Sequence, residues 1–600
     1  MPEFKNPNAG GGTAGGGGQD SRSFLLMMLV MFGVLFGVRW WTASHNPEPA
    51  SPASPPAVTA PATPAPAAPA AAAATTGAPA LATVQGTNES TTVVENELYR
   101  ITFSNRGADV TSWILKRYKD NAGHPLDMVN QGASKLYGYP LSLYTYDQPL
   151  TSALSQALYV PSATGDLQAP ATLTFKYQSG NVQVTKTFTF GPDYVIHADV
   201  QVLRDGAPIA ATLAWPAGFG DEESASSYMN ATVDTMTDGK EAHVNFKKVI
   251  GGNTENGPFD WIAVADQYFG TAFLPDHPAE ATLVTFNHQT EVNEAGRSVG
   301  QGVPAAKGDV KVPVLGAALG DRSGHVQTRV FVGPKDMRVL KSIKSVTGHD
   351  LWPMVDFGFW GPIGKFLFLG LHFTYAHIVS NWGWAIVIFT IFINVILLPL
   401  RVTSMKQALK MQRLQPQIDA IKKKHGNPGP TDAKAAQMNQ EIMAFQKQEG
   451  VNPFGGCIPS LIQFPLLFAF FTMMTKVVEL RQAHFFWLPD LSAPDPWHIL
   501  PILMVVTSFA VQYFMPSPGV DPKQQRMMAF MMPAVSGYWT WNYASGLALY
   551  WNVGNIVMFA QQMVMNRTSL GKEMRDLQLK RARKKAMQSG VAPKTIQARR

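Results

Sequence analysis

Trp382–Leu400 reads WGWAIVIFTIFINVILLPL. Nothing in this stretch is charged, and its length approaches the ~20 residues a helix needs to cross the hydrocarbon of a bilayer. Two polar residues interrupt it. Thr390 and Asn394 are four apart and so share a helix face, and Arg401 follows on the same side. Polar groups in hydrocarbon are costly and usually turn toward a bundle interior or toward water.

Four more apolar runs follow, at Gly455–Val478, Trp497–Met515, Met527–Trp541 and Gly546–Val564. They carry polar residues too: Gln463, Gln512, and the pair Asn552 and Asn555. Helix-to-helix hydrogen bonding accounts for any one of these. Their spread over several spans favours a hydrated cavity. Pro399, Pro459, Pro465, Pro501 and Pro533 bend or loosen the spans and help such a cavity stay open.

Between the first and second runs lies a basic excursion carrying Lys406, Lys410, Arg413, Lys422, Lys423, Lys424, Lys434 and Lys447. Met405, Leu409, Leu414, Ile418 and Ile421 recur at helical spacing. The breaker Gly426-Asn427-Pro428-Gly429-Pro430 follows, and Met438, Ile442, Met443 and Phe445 resume the period. The pattern predicts an antiparallel helical hairpin over 402–449. Its apolar stripe is either the seam between the two helices or a face for a partner.

Toward the N-terminus, residues 1–21 are Gly- and Asn-rich and expected to be disordered. Residues 22–41 place the apolar run Phe24–Val38 before Arg39-Trp40-Trp41. This predicts an uncleaved membrane anchor with interfacial tryptophans, a cleaved signal peptide being the alternative. Residues 42–83 are a Pro/Ala-rich spacer. Over 84–345 apolar and polar residues alternate with period two, as in Leu98–Phe103, Thr172–Tyr177 and Val182–Phe190. Many half-buried antiparallel strands predict a large β-sandwich. Asp221-Glu222-Glu223 reads as a charged surface loop or, alternatively, as a catalytic acid pair. Residues 352–377 predict an amphipathic helix lying on the membrane.

The formal charge of +7 is unevenly placed. The tail 568–600 is strongly basic and includes Arg581, Arg583, Lys584 and Lys585. Such a block suits anionic lipid or nucleic acid, or is simply a solvated cytoplasmic tail. The Lys and Arg bias puts the hairpin, the tail and the N-terminus in the cytoplasm, with the β-domain exported. The single cysteine, Cys457, rules out an intrachain disulfide and reads as a buried small hydrophobe. No metal-spaced histidine cluster and no phosphate-cradling glycine loop is present, so no catalytic residue, metal or cofactor is expected. A transporter or channel would need inverted repeats and midplane charges. An exported enzyme would need paired carboxylates in a cleft.

Several motifs resemble the YidC family of membrane insertases (YidC/Oxa/Albino), in its Gram-negative form with a large periplasmic domain. They are Val451-Asn452-Pro453-Phe454-Gly455-Gly456-Cys457-Ile458-Pro459, Leu461-Ile462-Gln463-Phe464-Pro465, Leu480-Arg481-Gln482-Ala483, Ser545-Gly546-Leu547-Ala548-Leu549-Tyr550-Trp551 with Asn555, Leu414-Gln415-Pro416, and Asn381-Trp382-Gly383. Phe103-Ser104-Asn105-Arg106-Gly107-Ala108 is similar to the family's periplasmic domain. The resemblance implies an α-helical polytopic membrane bundle of five core spans (382–567) plus the anchor, with a periplasmic β-supersandwich. It implies an inner-membrane protein that inserts and helps fold nascent membrane proteins through a groove open to cytoplasm and lipid, alone or beside the Sec translocon. The groove residues it implies are Thr390, Asn394, Arg401, Gln463, Gln512, Tyr550, Trp551 and Asn555. Lys406, Lys410, Arg413, Lys422, Lys423 and Lys424 would form a docking face on the hairpin, and Arg581, Arg583, Lys584 and Lys585 would meet the ribosome. Anionic lipids complete the expected partners. One departure is plain: the family places an arginine in the groove where this chain has Asn394, and Arg401 stands two turns nearer the cytoplasm.

Overall fold

The computed structural model describes residues 83–222, 224–293, 308–426, 433–451, 458–514 and 522–588. The expected disordered start, anchor and spacer, the motif residues 452–457, the hairpin turn 427–432, the extreme tail 589–600 and the side chains of Arg581, Arg583, Lys584 and Lys585 lie outside the described parts.

The alternating stretches form strands, at Tyr99–Ser104, Ala171–Ser179 and Val182–Phe190. Three sheets build the β-domain: one of ten strands and two of five. Ala171–Ser179 and Val182–Phe190 pair antiparallel across Gly180-Asn181. Gly180 turns with φ +59°, a conformation that costs glycine nothing. Inward side chains of all three sheets meet in one core. Phe103 lies 5.2 Å from Phe188, and Trp113 lies 6.1 Å from Trp215. The period-two rule holds along Val182–Phe190 with one exception in kind: Val184, Phe188 and Phe190 point inward, and so does Lys186, which is fully buried. Its ammonium donates to Gly107 O (2.9 Å), Ala108 O (2.8 Å) and Asp109 Oδ1 (3.2 Å). It thereby ties down the turn at Gly107 and Ala108, both of which have positive φ. Four short helices decorate the domain: α1 (Gln131–Tyr137), α2 (Gln148–Gln156), α3 (Ala225–Tyr228) and α4 (Met337–Ser342).

A connector leads to α5 (Gly361–His377), which buries Leu367, Phe368 and Leu371 and leaves Phe366 and Phe373 exposed. The first apolar run becomes α6 (Trp382–Ile396), capped by Asn381, whose side chain accepts from Trp384 N. This helix stops at Leu397, and α7 (Leu398–Lys424) departs at 47°. Pro399 explains the break, since it offers no N–H to continue the ladder. The hairpin's second arm is α8 (Ala433–Gln448). The remaining runs become α9 (Ile458–Met474), α10 (Ile499–Phe514), α11 (Pro522–Thr540) and α12 (Ser545–Arg567), followed by α13 (Ser569–Gln588). Among the described residues no single helix is long and apolar enough to cross a membrane; α6 and α7 pass that test together.

The hairpin seam is filled by Met411, Leu414 and Ile418 against Met438, Ile442 and Phe445. Met405 and Leu409 depart from the expected stripe: they pack on Met574 and Leu577 of α13. Met443 faces outward.

The β-domain rests on the loop after α9. Gln267 Nε2 donates to Thr475 O (2.7 Å), Arg481 Nη1 to Lys119 O (2.8 Å), and Met337 N to Glu479 Oε1 (3.1 Å). The Arg481 guanidinium stands 5.3 Å from the Phe269 ring centre. The same loop folds over the start of α6. A Cβ on Gly383 would come within 2.1 Å of Phe485 Cδ2 and 2.7 Å of its Cβ. Gly383→Ala is therefore expected to cost about 1–3 kcal/mol by overpacking and to lower the thermal midpoint of the purified protein by several degrees. An unchanged midpoint in a differential-scanning fluorescence trace would contradict that packing.

Candidate functional site

Asn394 sits on the last full turn of α6, and Arg401 lies on the first turns of α7. The bend between them brings the two side chains together. Arg401 Nη2 donates to Asn394 Oδ1 (2.9 Å), and Nη1 donates to Gln561 Oε1 on α12 (2.6 Å). Gln561 Nε2 closes the ring by donating to Asn394 O (3.1 Å). Asn394 Nδ2 donates to Thr390 O (2.8 Å). Two neutral amides thus hold the guanidinium in a planar fork, the geometry arginine is built for. Among the described residues no carboxylate pairs with Arg401, and Tyr550 is the titratable group nearest to it in effect. The arginine is half-buried, so its charge is partly desolvated and acts at longer range than it would in water.

Tyr550 lies behind this ring. It is buried, stacks on Phe470 of α9 at 3.9 Å, and has Gln463 as a polar neighbour. Asn394, Arg401, Gln463 and Tyr550 therefore form one polar centre walled by α6, α7, α9 and α12, and Trp551 is half-buried on α12 next to it in sequence.

Three expected groove residues are placed otherwise. Thr390 is fully buried, with its hydroxyl donating to Ile386 O (2.6 Å). It presents no open surface. Asn555 points away from Arg401, into the seam with α10, where its Nδ2 donates to Ser508 Oγ (2.8 Å) and Thr507 Oγ1 (3.1 Å). Asn552 joins the same seam through Leu500 O (2.9 Å). Helical geometry explains the separation: five residues beyond Tyr550 is a turn of about 140°. Gln512, late on α10, is half-buried and makes no hydrogen bond to the polar centre among the described residues.

Gln561 is the functional residue that sequence reasoning missed. The signal was present, because eleven residues on from Tyr550 returns to the same face within about 20°.

The basic hairpin is split by its pairings. Arg413 pairs with Glu573 of α13, and Lys424 with Glu441 of α8 (2.8 Å). Lys406, Lys410 and Lys423 are exposed, and Lys422 is half-buried. The Asp221-Glu222 stretch is corrected outright: it is no solvated loop. Glu222 is buried and accepts from Phe219 N (2.9 Å), and Asp221 Oδ1 is buried beside Asp266. Among the described residues no group of three or more His, Cys, Asp or Glu has metal-holding geometry.

Two family models match the chain: the YidC periplasmic domain over residues 91–369, and the 60Kd inner membrane protein over residues 373–573. A membrane protein insertase YidC from Ralstonia nicotianae is 32% identical over 505 residues, covering 82% of this chain and 86% of that protein. The Pasteurella multocida protein of the same name is 30% identical over 572 residues, covering 91% and 98%. A crystal structure of an active YidC insertase with its first transmembrane domain resolved aligns at 17% identity with a TM-score of 0.32, covering 82% of this chain and 95% of the other.

Proposed function

The chain belongs to the YidC family of membrane protein insertases, and on that footing we propose that the polar centre around Arg401 is where it receives the polar flank of a nascent membrane segment. The protein is an insertase of the inner membrane, with a periplasmic domain, and acts on nascent membrane proteins without catalysing a covalent step. In this reading α6 with the start of α7, and α9 to α12, are the five spans. The exposed aromatic face of α5 lies in the outer interface, and the hairpin and both termini are cytoplasmic. Exposed Lys406, Lys410 and Lys423, together with the basic end of α13, would meet the ribosome or anionic lipid, and the bundle would work alone or beside the Sec translocon.

The observation that carries the reading is a half-buried arginine held by Asn394 and Gln561 with no carboxylate partner among the described residues. A cation kept ready in this way by neutral amides attracts an acidic or polar flank awaiting translocation. The apolar part of the client then leaves for lipid, driven by about 0.8 kcal/mol per buried CH₂. Asn394 by itself offers no charge, and the bend at Leu397 lets Arg401 reach back to it.

Photo-crosslinkers at Gln463 and at Trp551, tested on ribosome-stalled membrane-protein chains, are expected to capture the client, while one at Asn555 is not. Silence from both Gln463 and Trp551 would remove the groove from this part of the bundle.

A further inference from the structure

The seat between β-domain and helical bundle contains buried carboxyls that the insertion mechanism does not use. Asp266 is almost fully buried and opens the turn whose next residue, Gln267, bonds to Thr475 O. Its Oδ1 accepts from Tyr268 N and Phe269 N (both 2.7 Å). Its Oδ2 is buried and has no donor among the described residues, and neither has Asp221 Oδ1. The two carboxyls are neighbours. Two acceptors facing each other in a dry site are satisfied by one proton between them. Across the seat, Glu479 Oε1 accepts from Met337 N at the start of α4.

We propose that the β-domain is held on the outer end of α9 by protons, one on Asp221 where it faces Asp266 and one on Glu479, and that losing them frees the domain.

The groups facing these carboxyls come from both sides. Around the pair stand Glu222 and Arg481, and Lys335 donates to Asp266 O (2.7 Å). Lys335 in turn feels Lys476, Asp234 and Asp356. Around Glu479 stand Asp336 and Arg338. Burial and the neighbouring Asp266 carboxylate push Asp221 well above the ordinary carboxylate range. Burial and Asp336 push Glu479 up to about 8. A group whose pKa is higher when docked than when free binds more protons docked. It therefore favours docking at low pH and loses that contribution as pH rises, by about tenfold per pH unit per proton. Burial pulls Lys335 down to about 8, and its effect has the opposite sign above that value. The release window therefore runs from the ordinary carboxylate range to about pH 8.

The test uses the full chain in nanodiscs, with Cys457→Ser and spin labels at Lys240 on the β-domain and Ile378 beside α5, both exposed. Distances are measured by double electron–electron resonance from pH 5 to 8. One narrow distance at pH 5, with a second, longer population growing at least tenfold by pH 8, is expected. The double variant Asp221→Asn/Glu479→Gln keeps the amide acceptors but cannot ionise, and should stay narrow throughout; each single variant should fall between. A wild-type distribution unchanged over this range would overturn the proposal. So would a double variant that opens with pH just as the wild type does.

Discussion

Insertion of a client with an acidic translocated flank falls by roughly 5- to 30-fold when Arg401 is replaced by glutamine, the factor that 1–2 kcal/mol represents. Two unit charges 4 Å apart interact by about 4 kcal/mol near a protein surface. Arg401 is only half-buried, so solvent screening lowers that figure to about 1–2 kcal/mol. A client whose flank is neutral should change less than about threefold, because it never used the charge. Arg401→Lys keeps the charge but lacks the planar fork that bonds Asn394 and Gln561 at once, and should give an intermediate yield. Asn394→Leu removes one of the two arms and leaves the guanidinium held by Gln561 alone. The measurement is protease-protected client in proteoliposomes. Equal losses for both clients would mean that Arg401 only braces the bend; no loss would remove it from the mechanism.

Lys186→Met lowers the stability of the β-domain by about 3–5 kcal/mol, the cost of leaving a buried charge without its partner. Lys186 is fully buried and satisfies three acceptors: two carbonyls and Asp109. Burial pushes the Asp109 carboxyl up and the Lys186 ammonium down, and the attraction between them offsets each only in part. Removing the lysine leaves the acid and the Gly107 and Ala108 carbonyls dry. The double variant Lys186→Met/Asp109→Leu should regain much of the loss, because replacing both charges by apolar groups removes the desolvation penalty. Urea-dependent pulse proteolysis of the full chain reads the domain's stability directly. A loss under about 1 kcal/mol for Lys186→Met would show that water reaches the pair.

The strands at 99–104, 171–179 and 182–190 were legible because period two maps onto the two faces of a sheet without further information. The helical runs were legible from hydropathy, but their neighbours were not. Periodicity assigns a residue to a face and is silent on what that face meets. Asn555 therefore reads as a companion of Tyr550 although it turns into the α10 seam, and nothing in the period marks Gln561 as the partner of Arg401. Arg401 is recognisable as lying on Asn394's side; that it reaches Asn394 depends on the 47° bend at Leu397, which Pro399 announces in place but not in angle or direction. Asp221 and Glu222 misled because clustered acids are usually solvated. Only tertiary contact with Asp266 and the loop after α9 buries them.

The basic C-terminal segment does not begin as a free tether. Helix α13 folds back along α7, with Met574 and Leu577 covering Met405 and Leu409 and Glu573 holding Arg413. A reporter fused directly after Arg567 would strip that cover and expose two greasy side chains at the root of the hairpin. Placed after Gln588 it would leave the cover whole. Fluorescence or topology tags on this protein therefore report faithfully only from the distal side of α13, and loss of function on proximal truncation measures an uncovered hairpin as much as the missing basic segment.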